Sequence, residues 1–233
     1  MSFTESDVNG WLAEDIKEIS SLYSKKYVDY TEKTSDTCKC CYEVIANYLC
    51  QNAKQLYNQD NFTEIKRINY SYKMEDHKEL TGEEKASMGN KQKEEDWFAH
   101  SLFHRIFNHI GQIIDFQTPM QSSDEDKGVG RIDLLSYEKD KLFMIELKIE
   151  KNANDSMLHA ILQICTYYYQ TYKKKLATDF GYSPDTKIQK VVLVFKGSRQ
   201  YEEYEKSEPI RLLAQKLGVK VLYFDNDQVI EAP

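Results

Sequence analysis

Apolar and polar positions change period several times along this chain, and each change marks an element. From residue 7 to residue 30, Val8, Trp11, Leu12, Ile16, Ile19, Leu22, Tyr23 and Tyr27 recur at helical spacings of three and four, with charges between them. The same period predicts a second helix over about 36–59, with Ser35 or Asp36 as its cap. Phe62, Ile65, Ile68, Tyr70 and Tyr72 fit helix and strand alike, and the polar run 74–92, punctuated by Thr81-Gly82 and Gly89-Asn90, reads as a loop. Residues 94–110 then form a strongly amphipathic pattern through Phe98, Leu102, Phe103, Ile106, Phe107 and Ile110, which predicts one helix closed by Gly111.

After a short strand at 113–116 and a polar loop at 121–127, the period becomes two over residues 128–149. Phe143, Ile145, Leu147 and Ile149 alternate with Met144, Glu146 and Lys148. On the preceding strand Ile132 and Leu134 lie opposite Arg131, Asp133 and Leu135. Asp133, Glu146 and Lys148 therefore share one surface of a two-strand ribbon. A helix capped by Asn154, Asp155 or Ser156 runs to about Lys174 and points His159, Gln163 and Tyr167 the same way, four residues apart. The nearly all-apolar run 188–195 reads as an interior strand covered on both faces, followed by a helix over 201–217 closed by Gly218 and a last strand at 219–224. The order predicts an α/β fold on a mixed sheet, with residues 1–90 as a mainly helical N-terminal lobe and 91–233 as the domain that carries the chemistry.

Composition narrows the function classes. With 233 residues, 41% of them hydrophobic, the chain can bury a substantial core. Its net charge of -7 argues against holding nucleic acid by bulk attraction alone, yet leaves room for a local basic groove. The sequence lacks an N-terminal basic-then-apolar signal and any apolar run of membrane-spanning length, so a cytoplasmic protein with no membrane partner is expected. Cys38, Cys40, Cys41 and Cys50 are crowded, but without paired ligand spacing; with Cys165 they read as reduced thiols.

Two carboxylates on adjacent strands, with the backbone carbonyl of Leu147 between Glu146 and Lys148, are an oxygen-rich donor set that suits Mg²⁺ or Mn²⁺. The ammonium of Lys148 can orient a water or neutralise charge developing on phosphorus, which points to metal-assisted phosphodiester hydrolysis. Glu95, or Glu94 beside it, stands at the edge of the buried helical face upstream and can tip toward the same site. A Glu-x-Lys spelling alone is weak, since Glu64-Ile65-Lys66, Glu83-Glu84-Lys85 and Glu125-Asp126-Lys127 share it. Only Glu146-Leu147-Lys148 sits on an alternating strand that follows an Asp-bearing one.

These residues resemble the PD-(D/E)XK nuclease superfamily, over about residues 94–225, in its RecB-like variant. The resemblance implies a restriction-endonuclease-like core flanked by helices. It implies Asp133 and Glu146 as metal ligands, Lys148 as the catalytic lysine, Glu95 as a further acidic ligand, and Gln163 and Tyr167 as a Gln-x-x-x-Tyr substrate-positioning element. Gly130-Arg131-Ile132-Asp133 matches a Gly-Arg-x-Asp form of the metal motif, bringing Arg131 beside the substrate; the proline of the family name is absent. The activity implied is that of a Mg²⁺- or Mn²⁺-dependent nuclease acting on nucleic acid, DNA first, with a protein partner for the N-terminal lobe and a homodimer both left open. The alternative is a catalytically silent nucleic-acid-binding or assembly module that kept the fold.

Overall fold

In the computed structural model, which describes residues 3–81, 95–122, 129–150 and 154–232, the chain is α/β: seven strands form one mixed sheet in sequential order. They are β1 (Ile106–Phe107), β2 (Gly111–Pro119), β3 (Arg131–Glu138), β4 (Lys141–Lys148), β5 (Lys187–Phe195), β6 (Val219–Asp225) and β7 (Gln228–Glu231). The first four run antiparallel as hairpins, β4, β5 and β6 are parallel, and β7 returns antiparallel. Both parallel pairings need a crossover, and helices supply them. Met157–Gln170 (α4) and Lys173–Asp179 (α5) connect β4 to β5, and Arg199–Lys206 (α6) and Glu208–Leu217 (α7) connect β5 to β6.

The N-terminal segment is helical, as its periodicity predicts, but in pieces. α1 (Glu5–Asp15) is closed at its start by a capping box, with the Thr4 hydroxyl accepting from the Asp7 amide and the Asp7 carboxylate accepting from the Thr4 amide. Two tighter 3₁₀ turns, Ile16–Ser24 and Lys26–Asp29, follow. α2 begins at Cys41, five residues later than the sequence pattern suggests, and ends at Leu56, three residues earlier. Asp36 is occupied elsewhere, accepting from the Glu5 amide of α1, and Cys38 takes a left-handed φ of 57°, so no helix can begin there.

The amphipathic run after residue 94 is corrected most. Its helix, α3, is Glu95–Ser101 only. His104 turns the chain with φ 63°, and the remaining apolar residues enter the β1–β2 hairpin, where Ile106 is left exposed. Gly111, expected as a helix stop, serves that hairpin instead: at φ 70°, a Cβ there would stand 2.2 Å from the Tyr137 carbonyl oxygen. The predicted 201–217 helix is two: Ser207 leaves helical geometry, and Pro209 at the head of α7 has no amide to continue the ladder to the Glu205 carbonyl. Gly218 ends α7 in the left-handed conformation, as predicted.

Two apolar clusters cover the two sheet faces. On one, α4 and α7 bury Met144, Val192, Val194 and Val221, and the cluster continues without a break into Val8, Leu12, Ile45 and Leu49 of the N-terminal segment. On the other, Phe107, Ile113, Phe116, Leu134, Ile145, Leu193 and Phe224 face one another beneath Ala99 and Leu102 of α3. That face is covered mainly by the curl of the sheet rather than by a helical layer. The curl brings the end hairpins together through an ion pair from Arg105 to Asp227 at 2.7 Å and a contact of His109 Nδ1 with Glu231 Oε1 at 3.3 Å. β5 is buried on both faces as its composition predicts. Ile132, expected beside Leu134, packs in the first cluster instead: it lies beyond the last β3–β4 pair, where its strand has left β4. Among the described residues no helix is long and apolar enough to cross a membrane, and all five cysteines are free thiols.

Candidate active site

The β3–β4 hairpin turns at Lys139-Asp140, both with positive φ, which matches the right-handed twist of its strands. Pairing then runs from Glu138↔Lys141 to Leu134↔Ile145 and stops one step before Asp133 and Glu146. There a side chain replaces the backbone ladder: Asp133 Oδ2 accepts the Leu147 amide at 2.8 Å, while Gln117 Nε2 of β2 donates to Oδ1 at 3.2 Å. β4 remains paired to β5 through Glu146↔Val192 and Lys148↔Val194, so both side chains stand on a fixed strand. Leu147 between them points into the α3 cluster. The structure thus brings together Asp133, Glu146 and Lys148, all nearly inaccessible at 6%, 1% and 3% exposure.

Lys148 is the hub. Its ammonium lies 2.9 Å from Glu146 Oε1, 3.0 Å from Asp155 Oδ2 and 4.0 Å from Glu95 Oε2. Burial opposes its charge, but the carboxylates of Glu146, Glu95, Asp133 and Asp155 outweigh burial and hold the amine protonated beyond the usual lysine range. Burial pushes the Asp133 carboxyl up from the ordinary 3.8 to about 6, against the pull of Lys148 and the Leu147 amide. Glu146 is pushed well above the usual carboxylate range, first by burial and then by the neighbouring charge of Asp133. Asp155 goes the other way: its partial burial is overcome by Lys148, and its carboxyl is held below the ordinary value.

Glu146 also carries the clearest polar deficit. Apart from the Lys148 ammonium 2.9 Å from Oε1, neither of its buried oxygens has a hydrogen-bond partner. A buried carboxylate in that state is costly unless something else meets it. A divalent cation held by Glu146 and Asp133 fits the deficit, and the donor set, all oxygen, suits Mg²⁺ or Mn²⁺. Glu95 sits beside Lys148 rather than with that pair. Among the described residues the acidic or histidine groups whose ligand atoms all lie within 4.8 Å of one another are Asp29, Asp155 and His159, so Glu95, Asp133 and Glu146 form no such trio as their side chains stand. Glu94, the second choice for that role, lies outside the described residues.

α4 forms the adjoining wall. Ser156 caps it, accepting from the His159 amide at 3.0 Å and donating to the Val28 carbonyl at 2.9 Å. Gln163 donates to the Tyr167 hydroxyl at 3.1 Å, so the Gln-x-x-x-Tyr pair is one hydrogen-bonded unit. The Tyr167 hydroxyl lies over Gly130: a Cβ on that residue would stand 1.9 Å from it. Gly130 in the Gly-Arg-x-Asp stretch is therefore required by close approach. Arg131 follows it, exposed, at the start of β3.

His159, on the same side of α4, faces the N-terminal segment. Its Nδ1 lies 3.1 Å from Asp29 Oδ2, Asp29 Oδ1 accepts the Ser156 amide at 2.7 Å, and the Tyr23 ring meets those of His159 and Tyr167 edge-on. From α6, Arg199 donates to the Asp29 and Asn154 carbonyls, Glu203 accepts the Met157 amide, and Gln200 donates to the Asp155 carbonyl at 2.7 Å. These contacts fix the turn that carries Asp155 to Lys148. The sequence pattern offered Asp155 only as a helix cap. Asp29 had no legible signal, being joined to the site from 127 positions away.

No protein-family model, curated protein or solved structure matches the chain. The site therefore has to be read from its own chemistry. The helix expected to run to about Lys174 ends at Gln170, and Lys173, Lys174 and Lys175 open α5 instead. Lys173 and Lys190 lie 4.5 and 4.7 Å from the Tyr168 ring centre, as cation–π pairs packed beside α4.

Proposed function

We propose that this chain is a divalent-cation-dependent nuclease that hydrolyses phosphodiester bonds in DNA. The observation that carries the reading is the pairing of a fully buried, hydrogen-bond-deficient Glu146 with Asp133 and a protonated Lys148 at the point where β3 and β4 part. Three such groups in an apolar sheet are expensive to keep, and strained or under-satisfied positions concentrate where chemistry is done. The order from α3 to β5, one helix, the two-residue β1, three full strands, two helices and a strand, supports a restriction-endonuclease-like core for residues 91–233, with the N-terminal helices as an extension.

Asp133 and Glu146 would hold Mg²⁺ or Mn²⁺, with the Leu147 carbonyl as a further oxygen and Glu95 as a ligand able to swing in; bound there, the ion supplies Lewis acidity and lowers the pKa of water. The chain's own residues do the rest. Lys148, kept protonated by four surrounding carboxylates, places positive charge where a phosphate oxygen gains negative charge. Gln117 and the Leu147 amide fix the Asp133 carboxylate in one orientation. Gln163 and Tyr167 present a rigid polar edge beside it, and exposed Arg131 meets the phosphate backbone.

The second reading, a catalytically silent module, is favoured by one feature: the Lys148 ammonium stands among the carboxylates, where it neutralises them without a cation. Incubation of circular, linear, single-stranded and branched DNA with Mn²⁺ separates the two. Cleavage abolished by EDTA and by Lys148→Ala supports the nuclease. Intact substrate with every DNA, together with undisturbed DNA binding, supports the module, and equal cleavage by Lys148→Ala and Asp133→Ala overturns the assignment of the site.

A further inference from the structure

Residues 66–74, Lys-Arg-Ile-Asn-Tyr-Ser-Tyr-Lys-Met, interleave basic and aromatic or apolar residues, and most of them face solvent. The segment is neither of the elements its pattern fits. It is an irregular strap, anchored by one bridge from Ile65 to Thr171, by the fully buried Tyr72, and by Arg67. Arg67 is 5% exposed; it donates to the Gln121 carbonyl and, at 2.8 Å, to the Ser71 carbonyl, tying the strap to the end of β2. The same guanidinium lies 5.3 Å from the Tyr72 ring centre and 5.9 Å from that of Tyr70. Tyr70 is the outer member of this stack and is 58% exposed, next to Ile68 at 73%.

An exposed tyrosine backed by a buried guanidinium is a poor structural element but a good surface for a flat ring to lie on. Its position gives it a use. A groove of about 370 Å³ runs from Tyr70 along Pro119 and Met120 to Gly130 and Arg131, two residues from Asp133. A second groove, of about 620 Å³, continues past Lys73, with Glu75 and Asp179 also on its walls. Arg67, Tyr70 and Pro119 border both grooves, and Tyr70 is the most exposed of the three. A base paired inside a duplex has both faces stacked and cannot lie on this ring, whereas an unpaired base can.

We infer that the strap is a binding track for single-stranded nucleic acid, with Tyr70 stacking an unpaired base and Arg131 contacting phosphate between that base and the Asp133–Glu146–Lys148 site. The inference rests on the nuclease reading for its direction toward the site and names the substrate class: strands with an unpaired segment, such as free single strands, overhangs or flaps. Tyr70 is a positioning residue, removed from the reacting atoms.

Fluorescence anisotropy of the full chain in EDTA, where no turnover occurs, tests it with a labelled deoxythymidine oligomer and a blunt duplex of equal length. Tyr70→Ala should weaken oligomer binding about tenfold, the loss of one stacked base, and change duplex binding less than about twofold, while Tyr70→Trp restores the oligomer affinity. Unchanged oligomer affinity in Tyr70→Ala, an equal loss on both probes, or no oligomer binding by the parent overturns the track. Parallel reactions in Mn²⁺ separate this failure from that of the nuclease reading. A Tyr70-dependent oligomer preference without cleavage of any DNA leaves the track standing and removes the nuclease. Cleavage with equal affinities for all forms does the reverse.

Discussion

Gly130→Ala is the sharpest test of how the site is assembled. Alanine fits the backbone there, which is not in the left-handed region, so any cost comes from space. Its Cβ would lie 1.9 Å from the Tyr167 hydroxyl oxygen and 2.7 Å from Tyr167 Cζ, both far inside van der Waals contact. Tyr167 is 4% exposed, and its ring meets Tyr23 with 6.0 Å between ring centres, so yielding to the new methyl breaks its bond from Gln163 and disturbs that packing. Overpacking by one carbon in a filled core costs about 1–3 kcal/mol, and the rigid aromatic tip places this case toward the upper end. A double-mutant cycle in urea isolates the clash. Gly130→Ala should lose about 3 kcal/mol in the parent and almost nothing in a Tyr167→Leu background, giving a coupling close to the single-variant loss. Additive losses, or a Gly130→Ala variant within about 0.5 kcal/mol of the parent, would refute the close approach as the reason for the glycine.

Three further outcomes are expected of the site. Because the Asp133 carboxyl is raised from 3.8 to about 6 on folding, the parent loses stability as pH rises between those values: the unfolded chain releases the proton while the folded one retains it. Metal-free Asp133→Asn should therefore match the parent in acid and exceed it by about 3 kcal/mol above pH ~6, at about 1.4 kcal/mol per pH unit; a stability difference that does not vary with pH in urea titrations contradicts this. Saturating Mg²⁺ or Mn²⁺ should raise the thermal midpoint of the parent, with roughly 3 kcal/mol available at a hundredfold excess over Kd, and should leave Asp133→Asn and Glu146→Gln unmoved; an equal shift in both variants places the ion elsewhere. Ser156→Ala removes the cap of α4 and a donor to the Val28 carbonyl, and should cost about 2 kcal/mol by chemical denaturation; a loss below about 0.5 kcal/mol would show that neither bond matters.

Much of the fold was legible because period decides element type where one face is buried. Alternation placed β3 and β4, an all-apolar run placed β5, and Gly218 marked the end of α7. What failed was local competition. The apolar series after α3 satisfies helix and hairpin equally, and His104 and Gly111 settled it through backbone conformations that no periodicity encodes. β7 was missed although Asn226-Asp227 is a turn signal, because only four residues follow in strand form. At the site, Asp133, Glu146 and Lys148 could be read because alternation along β3 and β4 puts them on one face where the pairing of the two strands ends. Asp155 and Asp29 are brought in by tertiary contacts of α4 and α6, and spacing along the chain says nothing about those.

The curled sheet has a consequence for how copies of the chain can associate. Its edge strands are the two residues of β1 and the four of β7, and side-chain contacts from Arg105 and His109 join one edge to the other. A short, charged and self-engaged margin offers little backbone for another chain to extend, which is how sheet proteins resist polymerising edge to edge. A symmetric dimer that extends this sheet across two subunits is disfavoured on that ground.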